Sequence, residues 1–200
     1  MIKVNTLTEE EIRAIGEAFA DFTYAENEKG MLAYYPDRDA VRDYICDYTR
    51  ASLKAGRLYS SSERHEAYIA FRFSEDKVPL GAGWIMLTSL IKHLGFRGTI
   101  RFMKKASASG MSYEDKLKKE KKPCIVVGMV AVTKPFQGQG YMRKVLQIAF
   151  DEGEKRKVPV VLETDAFLKR DKYIHLGMKC VGERKFDEGS YLYELVKEAT

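Results

Sequence analysis

CIVVGMVAVTKPFQGQGYMRKVL, residues 124–146, is the stretch on which the reading of this chain turns. Its first nine residues are almost wholly apolar, the pattern of a strand covered on both faces. Two glycines one residue apart, Gly138 and Gly140, then mark a turn, and Met142, Val145, Leu146 and Ala149 recur at helical spacing. The helix runs from about 141 to 157, and PVVLETD at 159–165 is a second buried strand. Strand, helix and strand in so short a stretch make a βαβ crossover, which requires the two strands to be parallel.

Working towards the N-terminus, Thr8 and Glu11 have capping-box spacing. Ile12, Ile15, Phe19 and Phe22 follow at helical intervals, so a helix spans about 9–22. Asp37 caps a second helix with Val41, Tyr44, Ile45 and Tyr48 on one face, and Gly56 is placed to end it. AYIAFRF at 67–73 and PLGAGWIML at 79–87 read as two strands of an antiparallel hairpin joined by the turn-rich SEDK. From 90 to 122 the chain is basic and irregular, ending in KLKKEKK, and reads as an inserted helical excursion with a solvated end. Towards the C-terminus, a helix over about 166–176 stops at Gly177, and KCVGERKF with SYLYELVKE closes the chain as a hairpin around DEGS. There is no internal repeat and no linker. The expectation is one α/β (α+β) domain over 1–200, with 1–123 supplying helices, hairpin and insertion and 124–200 the crossover core.

Composition excludes several classes. With 45% apolar residues the chain has material for a packed core. Its longest apolar runs fall short of the roughly 20 residues of a membrane-spanning helix. No signal-type segment opens the chain. Thirty-four basic against twenty-nine acidic residues give a net charge of +5, which suits an anionic ligand as well as it suits solubility. Cys46, Cys124 and Cys180 are odd in number and never form a CxxC pair, so no disulfide framework is expected and a reducing cytoplasm is the default compartment. Neither they nor His65, His93 and His175 have metal-ligand spacing, and no metal is expected.

The turn itself fits neither common nucleotide motif. A dinucleotide fingerprint starting at Gly138 would need a glycine where Arg143 stands, and a phosphate loop ending in Gly-Lys-Ser/Thr is absent. A strand-to-helix turn with two glycines still gathers free backbone N–H groups and the positive end of a helix dipole, which together suit a phosphate. A merely tight turn accounts for the same glycines.

Val132, followed five residues later by Gln137-Gly138-Gln139-Gly140-Tyr141-Met142, resembles the acyl-CoA signature Gln/Arg-x-x-Gly-x-Gly/Ala of the GNAT superfamily of N-acetyltransferases. Tyr173-Ile174-His175-Leu176-Gly177-Met178 resembles the same superfamily's Tyr-x-x-x-Gly-Phe, and the order of elements agrees along the chain. LETD at 162–165 is similar to the corresponding strand of the branch that includes puromycin-type acetyltransferases. Met142 departs from the usual small last residue of the signature, and Lys169 stands where many members have asparagine.

The resemblance implies a mixed, largely antiparallel sheet with helices on both faces and a cofactor cleft where the parallel pair splays. It implies acetyl-CoA as cofactor. Val130, Ala131 and Val132 would then line pantetheine, and Gln137, Gly138, Gln139, Gly140, Tyr141 and Met142 the pyrophosphate. Lys169 would reach a phosphate or stand in solvent. Tyr173 would be the general acid. Glu163, at the end of a buried strand, is a candidate base for the amine, or is paired with a Lys or Arg there; Glu66 and His65 are weaker candidates. Tyr24, Tyr34, Tyr35 and Trp84 would line the acceptor pocket or pack the core. The implied activity is transfer of an acetyl group to a primary amine of a small molecule, by a monomer or homodimer with no nucleic-acid or membrane partner. Acetylation of a protein or peptide amine and a non-catalytic acyl-CoA-binding module are the alternatives.

Overall fold

The computed structural model describes residues 2–26 and 28–200. Among these, seven strands form one sheet in the order β1-β2-β3-β4-β5-β7-β6. They are β1 (Ile2–Lys3), β2 (Leu58–Ser60), β3 (Ala67–Phe73), β4 (Ile125–Val132), β5 (Val160–Thr164), β6 (Lys179–Asp187) and β7 (Ser190–Lys197). Every neighbouring pair is antiparallel except β4 with β5.

Two helices precede the core of the sheet, α1 (Glu9–Ala20) and α2 (Arg38–Lys54). Thr8 and Glu11 form the reciprocal capping box, and Asp37 caps α2 through the Ala40 amide, as their spacing predicts. Then come α3 (Leu80–Ala108), α4 (Tyr113–Lys119), α5 (Tyr141–Arg156) and α6 (Phe167–His175). On one face of the sheet, Val145, Leu146 and Ala149 of α5 and Tyr173 of α6 share a buried cluster with Ile69, Val127 and Leu162. On the other face, Ile15 of α1 and Ile45 of α2 pack with Tyr68, Met129 and Ala131. Further along that face, Leu117 of α4 covers Val161 and Val196.

The hairpin expected from 67–73 and 79–87 does not form. Residues 80–108 are the helix α3, broken at Gly95 with φ 67°, and β3 pairs instead with the three-residue β2 and with β4. The physical reason is periodicity. Ala82 and Ser89 are buried while Leu80, Trp84, Leu87 and Ile91 face solvent, a pattern that repeats with the helical turn and not with every second residue.

One irregularity in the sheet sets up the site. Between Ala70 and Phe71 the β3–β4 register shifts, and Gly128 is the extra residue in β4. An alanine there would bring its Cβ within 1.9 Å of the Tyr48 hydroxyl on α2. Gly128→Ala is therefore expected to destabilise the fold by about 1–3 kcal/mol, read as a lower midpoint of chemical unfolding. Adding Tyr48→Phe, which removes the clashing oxygen, should recover part of that loss.

Candidate active site

The parallel pair is short. Ile125, Val126 and Val127 lie opposite Val160, Val161 and Leu162, and beyond Val127 no register between β4 and β5 remains. The other edges of both strands stay paired: β4 continues on β3 to Val132, and β5 continues on β7 to Thr164. The two strands thus part like the arms of a V, opening towards their C-terminal ends.

The Gly128 bulge decides which backbone groups face that opening. The Thr133 amide donates to the Glu66 carbonyl at 3.1 Å, so alternation along β4 turns Ala131 and Met129 towards β3 as well. Val130 and Val132 then direct their backbone groups to the open side. Ala131, expected at pantetheine with its two neighbours, instead uses its backbone in the ladder with Tyr68 and buries its methyl group against α1 and α2. Without the extra residue the parity would be reversed.

Past Thr133 the chain makes a 3₁₀ turn, Lys134–Phe136, and then the glycine turn. Gly138 (φ 76°) and Gly140 (φ 80°) both adopt the left-handed conformation that glycine tolerates, and no atom lies within 4 Å of where either would carry a Cβ. Side chains hold the turn from behind: Gln137 Nε2 donates to the Val132 carbonyl at 3.1 Å, and Gln139 Nε2 to the Pro135 carbonyl at 2.8 Å. Gly140 is the N-cap of α5 and no side chain caps that end, so the first amides of the helix face the same open space. This is a cradle of backbone donors that an anion of phosphate size fits, with no Cβ in the way.

Tyr173 is buried, in the apolar cluster against which Val130, Val132, Tyr141 and Met142 also pack, so the structure brings it together with the strand edge and the turn. Burial, reinforced by the Asp165 carboxylate, raises its phenol above the ordinary tyrosine range. Glu163 sits on the opposite face of the sheet, beside α4. Its carboxylate pairs with the Arg184 guanidinium, the pairing with a basic residue that the strand end suggested. Burial raises its pKa, against the opposing charge of Arg184.

Arg184 organises this corner. It also donates to Glu194 Oε1 at 2.7 Å and to Ser109 Oγ at 2.7 Å, while the Tyr113 amide donates to the same Glu194 oxygen at 3.0 Å. Glu194 is 3% exposed, so removing its cation leaves a buried charge without compensation. Arg184→Ala is expected to cost about 3 kcal/mol in urea unfolding, and Glu194→Gln in the same chain to restore most of it.

The remaining candidates are placed as follows. Glu66 is buried and accepts from Ser62 Oγ at 2.5 Å, a hydrogen bond that lowers its pKa and leaves it a poor base. His65 is taken up by Glu11 at 2.9 Å. Lys169 Nζ pairs with Asp165 Oδ1 at 2.8 Å, one helical turn away, and lies 4.3 Å from the centre of the Phe22 ring. A phosphate contact from Lys169 would have to break that pair. Tyr24 donates to Asp165 Oδ2 at 2.6 Å, and the Met31 amide to the same oxygen at 3.1 Å. Tyr34 bonds Ser190 and packs edge-on against Phe186. Tyr35 is core, and Trp84 stands in solvent on α3, away from these tyrosines.

Sequence reasoning did not single out Asp165, Arg184 or Glu194. Asp165 ends the LETD stretch, and its value shows only when Tyr24 is folded onto it from 141 residues away.

No family model matches the chain, and no curated protein matches it by sequence. Solved structures do. A polyamine N-acetyltransferase of Drosophila melanogaster, described as forming N-acetylagmatine, superposes with a TM-score of 0.59 at 9% identity over 97% of this chain and 98% of its own. Arylalkylamine N-acetyltransferase 2 of Aedes aegypti gives 0.56 at 12% identity over 98% and 97%. An N-acetyltransferase of Staphylococcus aureus Mu50 gives 0.53 at 12% identity over 95% and 97%. Two other matches span only 38% of this chain and 55–56% of theirs. With its bulged β4, its parting parallel pair and its glycine turn before α5, this chain has the GNAT fold.

Proposed function

We propose that this chain is an N-acetyltransferase that moves an acetyl group from acetyl-CoA to a primary amine of a small molecule by direct transfer. The observation that carries the proposal is the open edge of β4 running straight into the glycine turn: an extended backbone that leaves β5 after Val127, for an amide-bearing arm, ending in a cradle for a pyrophosphate. The N-acetyltransferases that share the fold support the same reading, and their arylalkylamine and polyamine acceptors support a small molecule as substrate.

Val130 and the Val132 amide would hold the arm, and the amides of Gly138 to Met142 the pyrophosphate; the Gln137 amide, expected there too, donates to the Lys134 carbonyl at 3.3 Å. Bound there, acetyl-CoA supplies the acetyl group as an activated thioester. The Val132 amide would stabilise negative charge on a carbonyl oxygen at the strand edge. Tyr173, kept protonated by burial, would supply the proton that a departing thiolate needs. Glu163, paired with the Arg184 guanidinium, would receive an ammonium group or its proton by exchanging that partner.

Two assays test this. Acetyl-CoA is titrated into the purified chain by calorimetry, and thiol release is then followed with an arylalkylamine, agmatine and a lysine peptide. Binding together with thiol release that depends on a small amine supports the proposal. Release with the peptide alone transfers the activity to protein acceptors, and binding without release for any amine leaves an acyl-CoA-binding module. Absence of binding refutes the reading.

A further inference from the structure

α3 is the longest helix among the described residues and the most unusual in what it shows to solvent. Leu80, Trp84, Leu87 and Ile91 recur at intervals of four, three and four residues and are all exposed, Leu80 by 93% and Trp84 by 66%. Beyond the break at Gly95, Phe96, Ile100 and Met103 are exposed as well, Phe96 by 68%. A stripe of this kind normally faces a core. Here the opposite face does that: Ala82, Ser89 and Thr99 are buried, and Phe102 packs on the rings of Tyr34 and Phe186. The inner face is committed, so the apolar outer stripe is fixed in place.

Charge identifies the occupant. From Leu80 to Ala108 there is no Asp or Glu, but there are Lys92, Arg97, Arg101, Lys104 and Lys105. Lys105 is tied to Asp187, while no ion pair among the described residues engages Arg97, Arg101 or Lys104. These three follow one another at intervals of four and three, directly beside the Phe96-Ile100-Met103 stripe. With Lys105 they rim an open depression that Ile100 and Ala108 also line.

We propose that α3 is an interfacial helix by which the chain rests on an anionic lipid surface, its apolar stripe in the headgroup boundary and its cationic row on lipid phosphates. An aromatic and aliphatic face bordered by Lys and Arg is the composition such helices have. It lies on a bilayer and does not cross one, since no helix among the described residues is long and apolar enough to span. The other candidate occupants fit less well. A second copy meeting this face across a two-fold axis would bring cationic rows together with no carboxylate of α3 between them. A nucleic acid would use the cations and leave Trp84, Leu87 and Phe96 in water. The expectation of no membrane partner rested on the shortness of the apolar runs, which bears on crossing a bilayer and not on lying on one.

The test uses vesicles of phosphatidylglycerol and phosphatidylcholine in equal parts, beside vesicles of phosphatidylcholine alone. Trp84 is the sole tryptophan, so its emission reports the stripe directly. The full chain should sediment with the anionic vesicles with a blue shift of Trp84, and far less with the neutral ones. Arg97→Ala, Arg101→Ala and Lys104→Ala together should weaken partitioning on the order of a hundredfold. Phe96→Ser with Met103→Ser should weaken it as well, and the exposed positions of all five leave the circular dichroism spectrum unchanged. Failure to bind anionic vesicles would overturn the proposal. So would equal binding to neutral ones, or full binding by the Phe96/Met103 variant. A dimer in sedimentation that Trp84→Ser dissolves, with no vesicle binding, would assign the face to a second copy instead.

Discussion

Replacing Gly140 with aspartate will weaken acetyl-CoA binding on the order of a thousandfold while the chain stays folded. The size follows from charge. A carboxylate about 4 Å from a phosphate at an effective dielectric of about 20 costs about 4 kcal/mol, and each 1.4 kcal/mol is about tenfold in affinity. The fold should survive for three reasons. Gly140 has φ 80°, and aspartate tolerates the left-handed region better than most residues. Nothing lies within 4 Å of the new Cβ, so the side chain enters open space. The position also lies at the N-terminus of α5, where the helix dipole favours a carboxylate. Gly140→Asn separates shape from charge, because it matches aspartate in size and backbone tolerance yet carries no charge; it should lose less than about tenfold. Calorimetric titration of the three proteins reads the result. If aspartate and wild type bind alike, the pyrophosphate does not use this turn and the cradle is only architecture.

The residues of that cradle are legible in the sequence because their information is local. An apolar run, two glycines and an amphipathic helix in succession can be read without knowing what packs on them, and β4, the turn and α5 appear where the pattern puts them. The capping box at Thr8 and Glu11 and the closing hairpin are local in the same sense. What the sequence hides depends on distant partners. Arg184 reads as an exposed hairpin residue until β6, β7 and the end of α3 enclose it. Lys169 has a neighbour of opposite charge four residues back in Asp165, but its aromatic surroundings come from the far end of α1. PLGAGWIML misleads for a different reason: a short apolar run suits a buried strand as well as a helix, and the periodicity that decides between them emerges only when Ile91 and the residues beyond are counted with it. Leu58–Ser60 is too short to leave any pattern, so β3 was given the wrong partner.

The second large effect concerns Tyr173, the proposed acid. Tyr173→Phe should lower kcat for acetyl transfer by about a hundredfold to ten-thousandfold, with the affinity for acetyl-CoA nearly unchanged. Phenylalanine keeps the ring that fills the cluster of Val127, Leu162 and Val145, so the loss is of one proton donor and not of packing. The pH profile sharpens the test. Burial raises the Tyr173 pKa, so the phenol stays protonated past the ordinary tyrosine value of about 10. A group that acts as an acid loses function as pH rises through its pKa. The wild-type rate should therefore show no basic limb from this residue below about pH 10, and the acidic limb should report deprotonation of the amine or of Glu163. In Tyr173→Phe that acidic limb should remain while the plateau falls. A variant that keeps the wild-type kcat would show that the departing sulfur takes its proton from water, and Tyr173 would then be a packing residue of the cleft. A variant with unchanged kcat but much weaker acetyl-CoA binding would place the hydroxyl on the cofactor in the ground state, where it contributes affinity and no acceleration.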